Sequence, residues 1–102
     1  MAMQEERTRP APGKDNSWIL YILRCNDGSF YTGITNDLAR RFNQHHDGRA
    51  SHYTRSRRPV RIVYGEFCAS RSHALRREST VKALSRKEKE NLIDLSVLGM
   101  KK

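Results

Sequence analysis

Long apolar runs are missing from this chain of 102 residues, and the longest one, Trp18 to Leu23, spans six residues. A helix that crosses a membrane needs about 20 apolar residues, so we expect neither a membrane protein nor a membrane partner. The polar start, residues 1–16, also lacks the basic and then apolar pattern of a secretory signal. The length, with 36% hydrophobic residues, indicates a single small soluble domain with a modest core.

Cysteine is scarce, since only Cys25 and Cys68 occur, and they form neither a CxxC motif nor a disulfide framework. Secreted domains of this size usually carry several regularly spaced cysteines, so the pattern favours a reducing compartment. We therefore expect a cytoplasmic protein. Together with the four histidines, the two cysteines show no zinc-ligand spacing, which argues against a structural zinc site.

Acidic residues are absent between Gly48 and Gly65, although the net charge of the whole chain is +9 and residues 1–16 are neutral overall. That stretch contains Arg49, Arg55, Arg57, Arg58 and Arg61. Arginine outnumbers lysine 14 to 6 in the chain. Because the planar guanidinium group pairs with phosphate oxygens, the five arginines predict a nucleic-acid-binding surface. The alternative is a basic loop that only keeps the protein soluble.

Residues 1–16 contain two prolines and no apolar periodicity, which is typical of a disordered tail. We expect one folded domain over residues 17–95 and a short C-terminal tail over residues 96–102.

Three strands are predicted from short apolar and aromatic runs, and they are Trp18 to Leu23, Phe30 to Ile34 and Val60 to Phe67. A basic loop over residues 48–59 leads into the third strand. With three helical segments, described next, these strands predict an α/β (α+β) domain. Its small, mainly antiparallel three-stranded sheet is flanked by helices.

The loop between the first two strands decides whether Tyr21 and Tyr31 share a face. A two-residue Asp-Gly turn pairs Tyr21 with Ile34 and sends the two rings to opposite faces. A three-residue loop that ends in a left-handed Gly28 pairs Tyr21 with Gly33 and puts both hydroxyls on one face. We favour the second register, in which Gly33 leaves space opposite the Tyr21 ring, while the residues alone leave the first one open.

The first helix is predicted over Asn36 to His46, with Thr35 or Asn36 as N-cap, Asp37 in the first turn and Gly48 beyond the end. At 100° per residue, one stripe holds two apolar and two basic residues, which are Leu38, Arg41, Phe42 and His45. Arg41 and His45 are thus predicted to face inward. The alternative is that Arg41 extends to water and His45 is a structural histidine.

The second helix is predicted over Ser72 to Leu84, with an apolar stripe of Ala74, Leu75 and Val81 that also contains Glu78. A buried carboxylate is costly unless a cation meets it, so Glu78 is a candidate site residue. A plain i,i+4 ion pair with Lys82 is the alternative. The sequence Ser85-Arg86-Lys87-Glu88 predicts a capping box that opens a last helix through Leu95, whose charged residues form a solvated face.

The segments ILY at 19–21, YTG at 31–33 and NDLARR at 36–41, with the helical Glu78, resemble the GIY-YIG nuclease domain. The resemblance covers residues 17 to about 95. It is closest to small stand-alone members, the YhbQ-like proteins, which also carry a segment like YTRSRRPV at 53–60. Ile34 stands where some members have a lysine, and Asn91 lies one residue from the spacing of the family's late asparagine.

The resemblance implies a role for each matching residue. Tyr21 matches the tyrosine thought to deprotonate the attacking water, and Tyr31 matches the one that helps to hold that water and the phosphate. Arg41 matches the helical arginine that contacts the scissile phosphate. Glu78 matches the ligand of a single divalent ion, Mg²⁺ or Mn²⁺. His45 matches a histidine that some members carry one helical turn after the arginine.

These roles are chemically consistent. A tyrosine has an unperturbed pKa of about 10, so it acts as a base near neutrality only where positive charge favours the phenolate. Arg41 and a metal on Glu78 would provide that charge and would stabilise the pentavalent transition state. A single suitable carboxylate predicts one metal ion.

The sequence therefore predicts a metal-dependent DNA endonuclease that hydrolyses phosphodiester bonds. Without an appended recognition domain, it is expected to select DNA by structure and to act in DNA repair or processing. RNA stays open as a substrate, and no obligate protein partner is indicated. One alternative is a non-catalytic nucleic-acid-binding module with a degenerate nuclease site. Another is a protein-interaction domain, which the arginine-rich loop disfavours.

Overall fold

The computed structural model describes residues 17–100, with side chains described as far as residue 96. The elements in this range follow the order β1, β2, α1, α2, β3, α3, α4. The strands are β1 (Trp18–Arg24), β2 (Phe30–Thr35) and β3 (Arg61–Cys68). The helices are α1 (Leu38–His46), α2 (His52–Arg55), α3 (Arg71–Lys82) and α4 (Arg86–Met100). The α/β class with three antiparallel strands and flanking helices is thereby confirmed.

The sheet has the order β2-β1-β3, and both neighbours of β1 run antiparallel to it. Tyr21 pairs with Gly33 and Leu23 pairs with Tyr31, which confirms the three-residue hairpin loop and excludes the two-residue turn. Gly28 closes this loop at φ +86°, a backbone conformation that favours glycine, and its N–H donates to the Cys25 carbonyl over 2.9 Å. The loop thus places both tyrosines on one face.

Each face of β1 packs into its own apolar cluster because successive side chains point to opposite sides. Leu20 and Ile22 pack with residues of α3, α4 and β3. Tyr21 and Leu23 belong to a second cluster on the other face, with Cys25, Val60 and the partly buried Ile19, Tyr31, Leu38 and Phe42. The tyrosine face is therefore covered by α1, and the charged helix α3 packs on the opposite face.

Helix α1 begins two residues later than predicted, at Leu38, with Asp37 as its N-cap. The Asp37 carboxylate accepts from the Arg40 N–H over 3.2 Å, whereas Thr35 Oγ1 accepts from the Asp37 N–H over 3.0 Å. The predicted N-cap, Thr35 or Asn36, was therefore wrong. Aspartate took the position because its carboxylate satisfies an N–H of the first turn, a contribution of about 1 kcal/mol. Gly48 follows the helix end, as predicted, and its φ is +81°.

The loop predicted over residues 48–59 contains the short helix α2. Ser51 caps it, since its Oγ accepts from the Thr54 N–H over 3.1 Å. A helix of four residues is too short to produce an apolar period, so sequence analysis missed it.

Helix α3 begins one residue before its predicted start, with Ser70 as N-cap, and ends at Lys82. Ala74 and Val81 are buried as predicted, but Leu75 is exposed, because it lies at the edge of the stripe. The capping box before α4 is confirmed, since Ser85 Oγ accepts from the Glu88 N–H and Glu88 accepts from the Ser85 N–H.

Helix α4 continues to Met100, beyond the predicted domain end at residue 95. The predicted tail over residues 1–16 lies outside the described residues, as do residues 101 and 102. No helix within residues 17–100 is long and apolar enough to cross a membrane.

Candidate functional site

Tyr21 lies at the centre of β1 with 2% of its surface exposed. Its ring leans across β2 onto Gly33, where a Cβ atom would lie 2.6 Å from the Tyr21 hydroxyl oxygen. Tyr31 is adjacent on β2, with the two ring centroids 6.3 Å apart. Both predicted tyrosines therefore lie side by side on the α1 side of the sheet.

His45, one of the two inward residues predicted on α1, is fully buried against these rings. Its Nε2 lies 2.9 Å from the Tyr21 hydroxyl oxygen, and its ring centroid lies 4.9 Å from that of Tyr31. Burial, with the Arg41 charge, lowers the pKa of His45 to about 4. The imidazole is therefore neutral at physiological pH, and one of its nitrogens is a hydrogen-bond acceptor.

Arg41 is half-buried on α1, one turn before His45. It contributes to a small polar cavity of about 100 Å³ beside the start of the helix, lined by Thr35, Asn36, Asp37, Arg40, Arg41 and Gln44. Its positive charge acts on Tyr21 through space and opposes the rise that burial causes in the pKa of that phenol. This position suits a group that meets an anion next to Tyr21.

Glu78 lies on α3 with 20% of its side chain exposed, and it forms the i,i+4 ion pair with Lys82 over 3.2 Å. The ion pair that the sequence analysis gave as the alternative explanation of Glu78 is thus present. Because the Lys82 side chain is mostly exposed, this pair contributes no more than about 0.5 kcal/mol and does not fix the carboxylate. The Glu78 charge also raises the pKa of Tyr21, so the carboxylate belongs to the same electrostatic environment.

The pKa of Tyr21 lies well above its usual range. Burial is the largest cause, followed by the nearby Tyr31, while Arg41 opposes the shift and Glu78 adds to it. The sequence argument expected positive charge to favour the phenolate. In the protein as it stands, burial outweighs Arg41, so the phenol keeps its proton and uses His45 as a hydrogen-bond partner.

No three histidine, cysteine, aspartate or glutamate side chains come together as a metal site in the part of the chain that the structure describes. Glu78 is a carboxylate whose charge acts on Tyr21, and its exposed partner Lys82 can release it. One carboxylate fits an ion such as Mg²⁺, which keeps several of its waters and often takes one or two protein carboxylates. The residues present therefore fit a single hydrated divalent ion.

The five predicted nucleic-acid-binding arginines fall into two groups. Arg49, Arg55 and Arg61 are exposed, and Arg49 forms an ion pair with the exposed Asp47 over 2.9 Å. Arg49 and Arg55 line a basic cavity of about 570 Å³ at the end of α1, together with His52 and Arg58.

Arg57 and Arg58 also bind the protein itself, although Arg58 is exposed and lines the same cavity. Arg57 Nε donates to Asp27 over 3.0 Å, Arg57 Nη1 donates to the Tyr53 carbonyl, and the guanidinium stacks 3.9 Å from the centroid of the Tyr53 ring. Arg58 donates to the carbonyls of Arg55 and His46 and lies over Gly48. These two arginines tie the 48–59 segment to the hairpin and to α1.

Sequence reasoning missed two residues of α2 that contact the site. Thr54 Oγ1 lies 2.8 Å from His45 Nδ1, and the Tyr53 ring lies 6.1 Å from that of Tyr31. The signal for this short helix in the sequence was Ser51, because serine is a preferred N-cap residue. Asn91 is exposed on α4, and Ile34 packs against the opposite core, so neither contributes to the tyrosine cluster.

The family model for the GIY-YIG catalytic domain matches residues 17–91 of the chain. A UPF0213 protein of Desulfotalea psychrophila is 45% identical over 95 residues, which cover 92% of this chain and 81% of that protein. A UPF0213 protein of Bacillus velezensis is 43% identical over 79 residues, which cover 78% of this chain and 80% of that protein. The names of these relatives state no activity.

Two solution NMR structures are similar to this fold. One, of a UPF0213 protein from Bacillus halodurans, has a TM-score of 0.52 and 46% identity, and the match covers 78% of this chain and 84% of that one. The other, of a protein from E. faecalis, has a TM-score of 0.57 and 38% identity, with 80% and 88% covered.

Proposed function

This chain belongs to the GIY-YIG catalytic domain family, and from that premise we propose that it is a metal-dependent endonuclease that hydrolyses phosphodiester bonds in DNA. The family is one of nucleases, so a nucleic-acid substrate follows from membership. The observation that carries the proposal is the hydrogen bond of 2.9 Å between Tyr21 and His45, next to the charges of Arg41 and Glu78.

Tyr21 is the group proposed to take a proton from the attacking water. Because burial keeps the phenol protonated, its own proton must move to a partner as it accepts the new one, and His45 Nε2 lies at hydrogen-bond distance. The water oxygen forms a bond to phosphorus while its proton passes to Tyr21 and the Tyr21 proton passes to His45. The bond to the leaving sugar oxygen breaks, and that oxygen takes a proton from solvent.

The low pKa of His45 would make it a weak proton acceptor in the free protein. A bound phosphodiester adds a negative charge beside the imidazole, which raises the pKa of a histidine. Substrate binding itself would therefore prepare His45 to accept the proton.

Arg41 is proposed to bind a non-bridging oxygen of the scissile phosphate, where it can stabilise the charge that builds up in the transition state. Glu78 would hold a divalent ion, Mg²⁺ or Mn²⁺. When bound, that ion supplies positive charge at the phosphate oxygens. Tyr31 would hold the attacking water and the phosphate beside Tyr21.

The proposal extends to the choice of substrate. The exposed arginines Arg49 and Arg55 line a basic cavity suited to phosphates, and phosphate contacts carry little sequence information. We therefore propose selection of DNA by structure rather than by sequence, and a role in DNA repair or processing. Free thiols at Cys25 and Cys68 support a cytoplasmic location.

The test is a cleavage assay on labelled single-stranded, flapped, branched and duplex DNA and on RNA, with Mg²⁺, with Mn²⁺ and with chelator. Tyr21→Phe removes one hydroxyl and should lower the cleavage rate by about 10²-fold or more, because general acid–base groups contribute that much. Glu78→Gln keeps the volume and loses the charge, so it should bind DNA at least as well as the parent and lose metal-dependent cleavage.

The matched control is Tyr64→Phe, because Tyr64 lies on the other side of the sheet, where its hydroxyl donates to Glu66. It should cut at the parent rate. Full activity of Tyr21→Phe would refute the assignment of Tyr21.

A binding module with a degenerate nuclease site is the second candidate. The ion pair that engages Glu78 and the protonated Tyr21 are the observations that favour it. A parent protein that binds every DNA in the panel, cuts none, and shows no metal-induced rise in melting temperature would establish this alternative.

A further inference from the structure

A continuous set of hydrogen bonds runs from Tyr21 through His45 into α2. The Tyr21 hydroxyl contacts His45 Nε2 over 2.9 Å, and His45 Nδ1 contacts Thr54 Oγ1 over 2.8 Å. Thr54 Oγ1 in turn donates to the Ser51 carbonyl over 3.4 Å. Both His45 and Thr54 are fully buried, so solvent does not compete for these bonds.

The position of each hydrogen follows from the available acceptors. The buried phenol of Tyr21 carries a proton, and within residues 17–96 the acceptor that contacts it is His45 Nε2. In a neutral imidazole an accepting Nε2 requires the hydrogen on Nδ1. That Nδ1–H faces Thr54 Oγ1, which can accept it because the Thr54 hydroxyl has two other acceptors for its own hydrogen, the Ser51 carbonyl and Ser51 Oγ, each 3.4 Å away.

We propose that Thr54 is a positioning residue of the catalytic site, whose hydroxyl holds His45 in the Nδ1–H tautomer so that Nε2 can accept the proton of Tyr21. This inference rests on the proposed nuclease function and deepens it. Thr54 does not touch the substrate, because it is buried behind His45. It acts through the imidazole, as the group that orients a catalytic histidine does elsewhere.

The other groups around His45 do not fix the tautomer. Tyr31 on β2 presents its ring to the imidazole, and Arg41 on the same helix acts through its charge. Glu78 on α3 adds a negative charge near Tyr21. Thr54 is the group that contacts Nδ1 among the described residues.

The tautomer can be measured without any activity. Ring ¹⁵N chemical shifts of His45 distinguish a protonated from an unprotonated nitrogen, and they are recorded at pH 7.5 on the metal-free protein. The parent should show a protonated Nδ1 and an unprotonated Nε2. Thr54→Ser keeps the hydroxyl and should give the same pattern. Thr54→Val keeps the shape but removes the acceptor, so the Nδ1–H population should fall.

Kinetics then separate positioning from folding. Thr54→Val should lower kcat at least tenfold with an unchanged KM, up to the roughly 10²- to 10⁴-fold that general acid–base catalysis supplies. Thr54→Ser should restore the parent rate. The control is Thr80→Val, which removes an exposed threonine hydroxyl that bonds the Arg76 carbonyl and should change neither constant.

An Nε2–H tautomer in the parent protein would overturn the inference by itself, even if Thr54→Val does not fold. So would a Thr54→Val variant with the parent tautomer and the parent kcat. A parent protein with the expected tautomer that cuts no nucleic acid would overturn the proposed function and leave the tautomer assignment standing.

Discussion

At the scale of single residues, two glycines on either side of Tyr21 have different roles. Tyr21 pairs with Gly33 on β2 and with Gly65 on β3. A Cβ atom on Gly33 would lie 2.6 Å from the Tyr21 hydroxyl oxygen and 2.8 Å from its Cζ, whereas on Gly65 the nearest atoms lie 4.0 Å away. The ring therefore leans over Gly33, and this lean brings its hydroxyl to His45.

Gly33→Ala should displace the Tyr21 ring and break its hydrogen bond to His45. We expect a loss of about 1–3 kcal/mol in stability from overpacking and a fall in the cleavage rate of at least about tenfold. Thermal melts and the cleavage assay measure the two effects. Gly65→Ala is the matched control and should leave both near the parent values. Equal behaviour of the two variants would mean that Gly33 does not set the ring position.

At the scale of secondary structure elements, an ion pair joins α3 to β3. Arg77 Nε and Nη2 donate to the two oxygens of Glu66 over 2.6 and 3.0 Å, and the Tyr64 hydroxyl also donates to Glu66. Bidentate pairs of this kind have a fixed geometry. Because Glu78 follows Arg77 by one residue on the same helix, this contact helps to fix where Glu78 lies.

Arg77→Gln should lower the free energy of unfolding by about 1–3 kcal/mol, since it leaves the half-buried Glu66 without its cation. The Arg77 guanidinium lowers the pKa of Glu66 below its ordinary value of 4.5, so this stabilisation is present above that pH and is lost as the pH falls further. The difference between parent and variant in urea denaturation should therefore shrink below pH 4.5.

The control for Arg77→Gln is Glu90→Gln, which breaks the exposed i,i+4 pair with Arg86 over 3.0 Å. It should change stability by no more than about 0.5 kcal/mol. Similar losses of stability in the two variants would show that the contact between α3 and β3 stabilises the protein no more than an exposed ion pair does.

At the scale of the whole molecule, the arginines of the basic segment have two roles. Some form bonds within the protein, and some line the basic cavity. Arg57 and Arg58 hold the 48–59 segment in place through internal bonds, and Arg58 lines the basic cavity beside α1 together with Arg49 and Arg55. The slope of log affinity against log salt is proportional to the number of phosphates that a protein neutralises. The two kinds of arginine should therefore be separable by experiment.

The double variant Arg49→Gln/Arg55→Gln should weaken DNA binding and reduce the slope of log affinity against log salt by about 2, at about 0.9 per phosphate contact. Its melting temperature should stay near that of the parent. Fluorescence anisotropy between low and moderate salt measures the slope. Lys87→Gln/Lys89→Gln removes the same charge from α4, which packs on the other face of the sheet through Leu92 and Ile93, and should leave the slope nearly unchanged. Arg57→Gln should instead lower the melting temperature, because its bonds are internal.

The sequence by itself determined those features that depend on neighbouring residues. Alternation and turn residues predicted the three strands, and the choice of a three-residue loop gave the register that puts Tyr21 and Tyr31 on one face. Helical periodicity predicted that Arg41, His45 and Glu78 would depart from a purely apolar stripe. These signals are strong because period and turn chemistry are set within a few residues of the chain.

Only the tertiary structure decided which groups meet across the chain. The bond between Tyr21 and His45 joins residues 24 positions apart, and the bond between His45 and Thr54 joins residues 9 positions apart. The same holds for Arg57 and Asp27, which are 30 positions apart, so that an arginine predicted to bind nucleic acid also has an internal partner. Burial, which keeps Tyr21 protonated and His45 neutral, also arises only when the helices pack on the sheet. A local pattern specifies the face on which a side chain lies, whereas its partner and its pKa depend on the packing of distant segments.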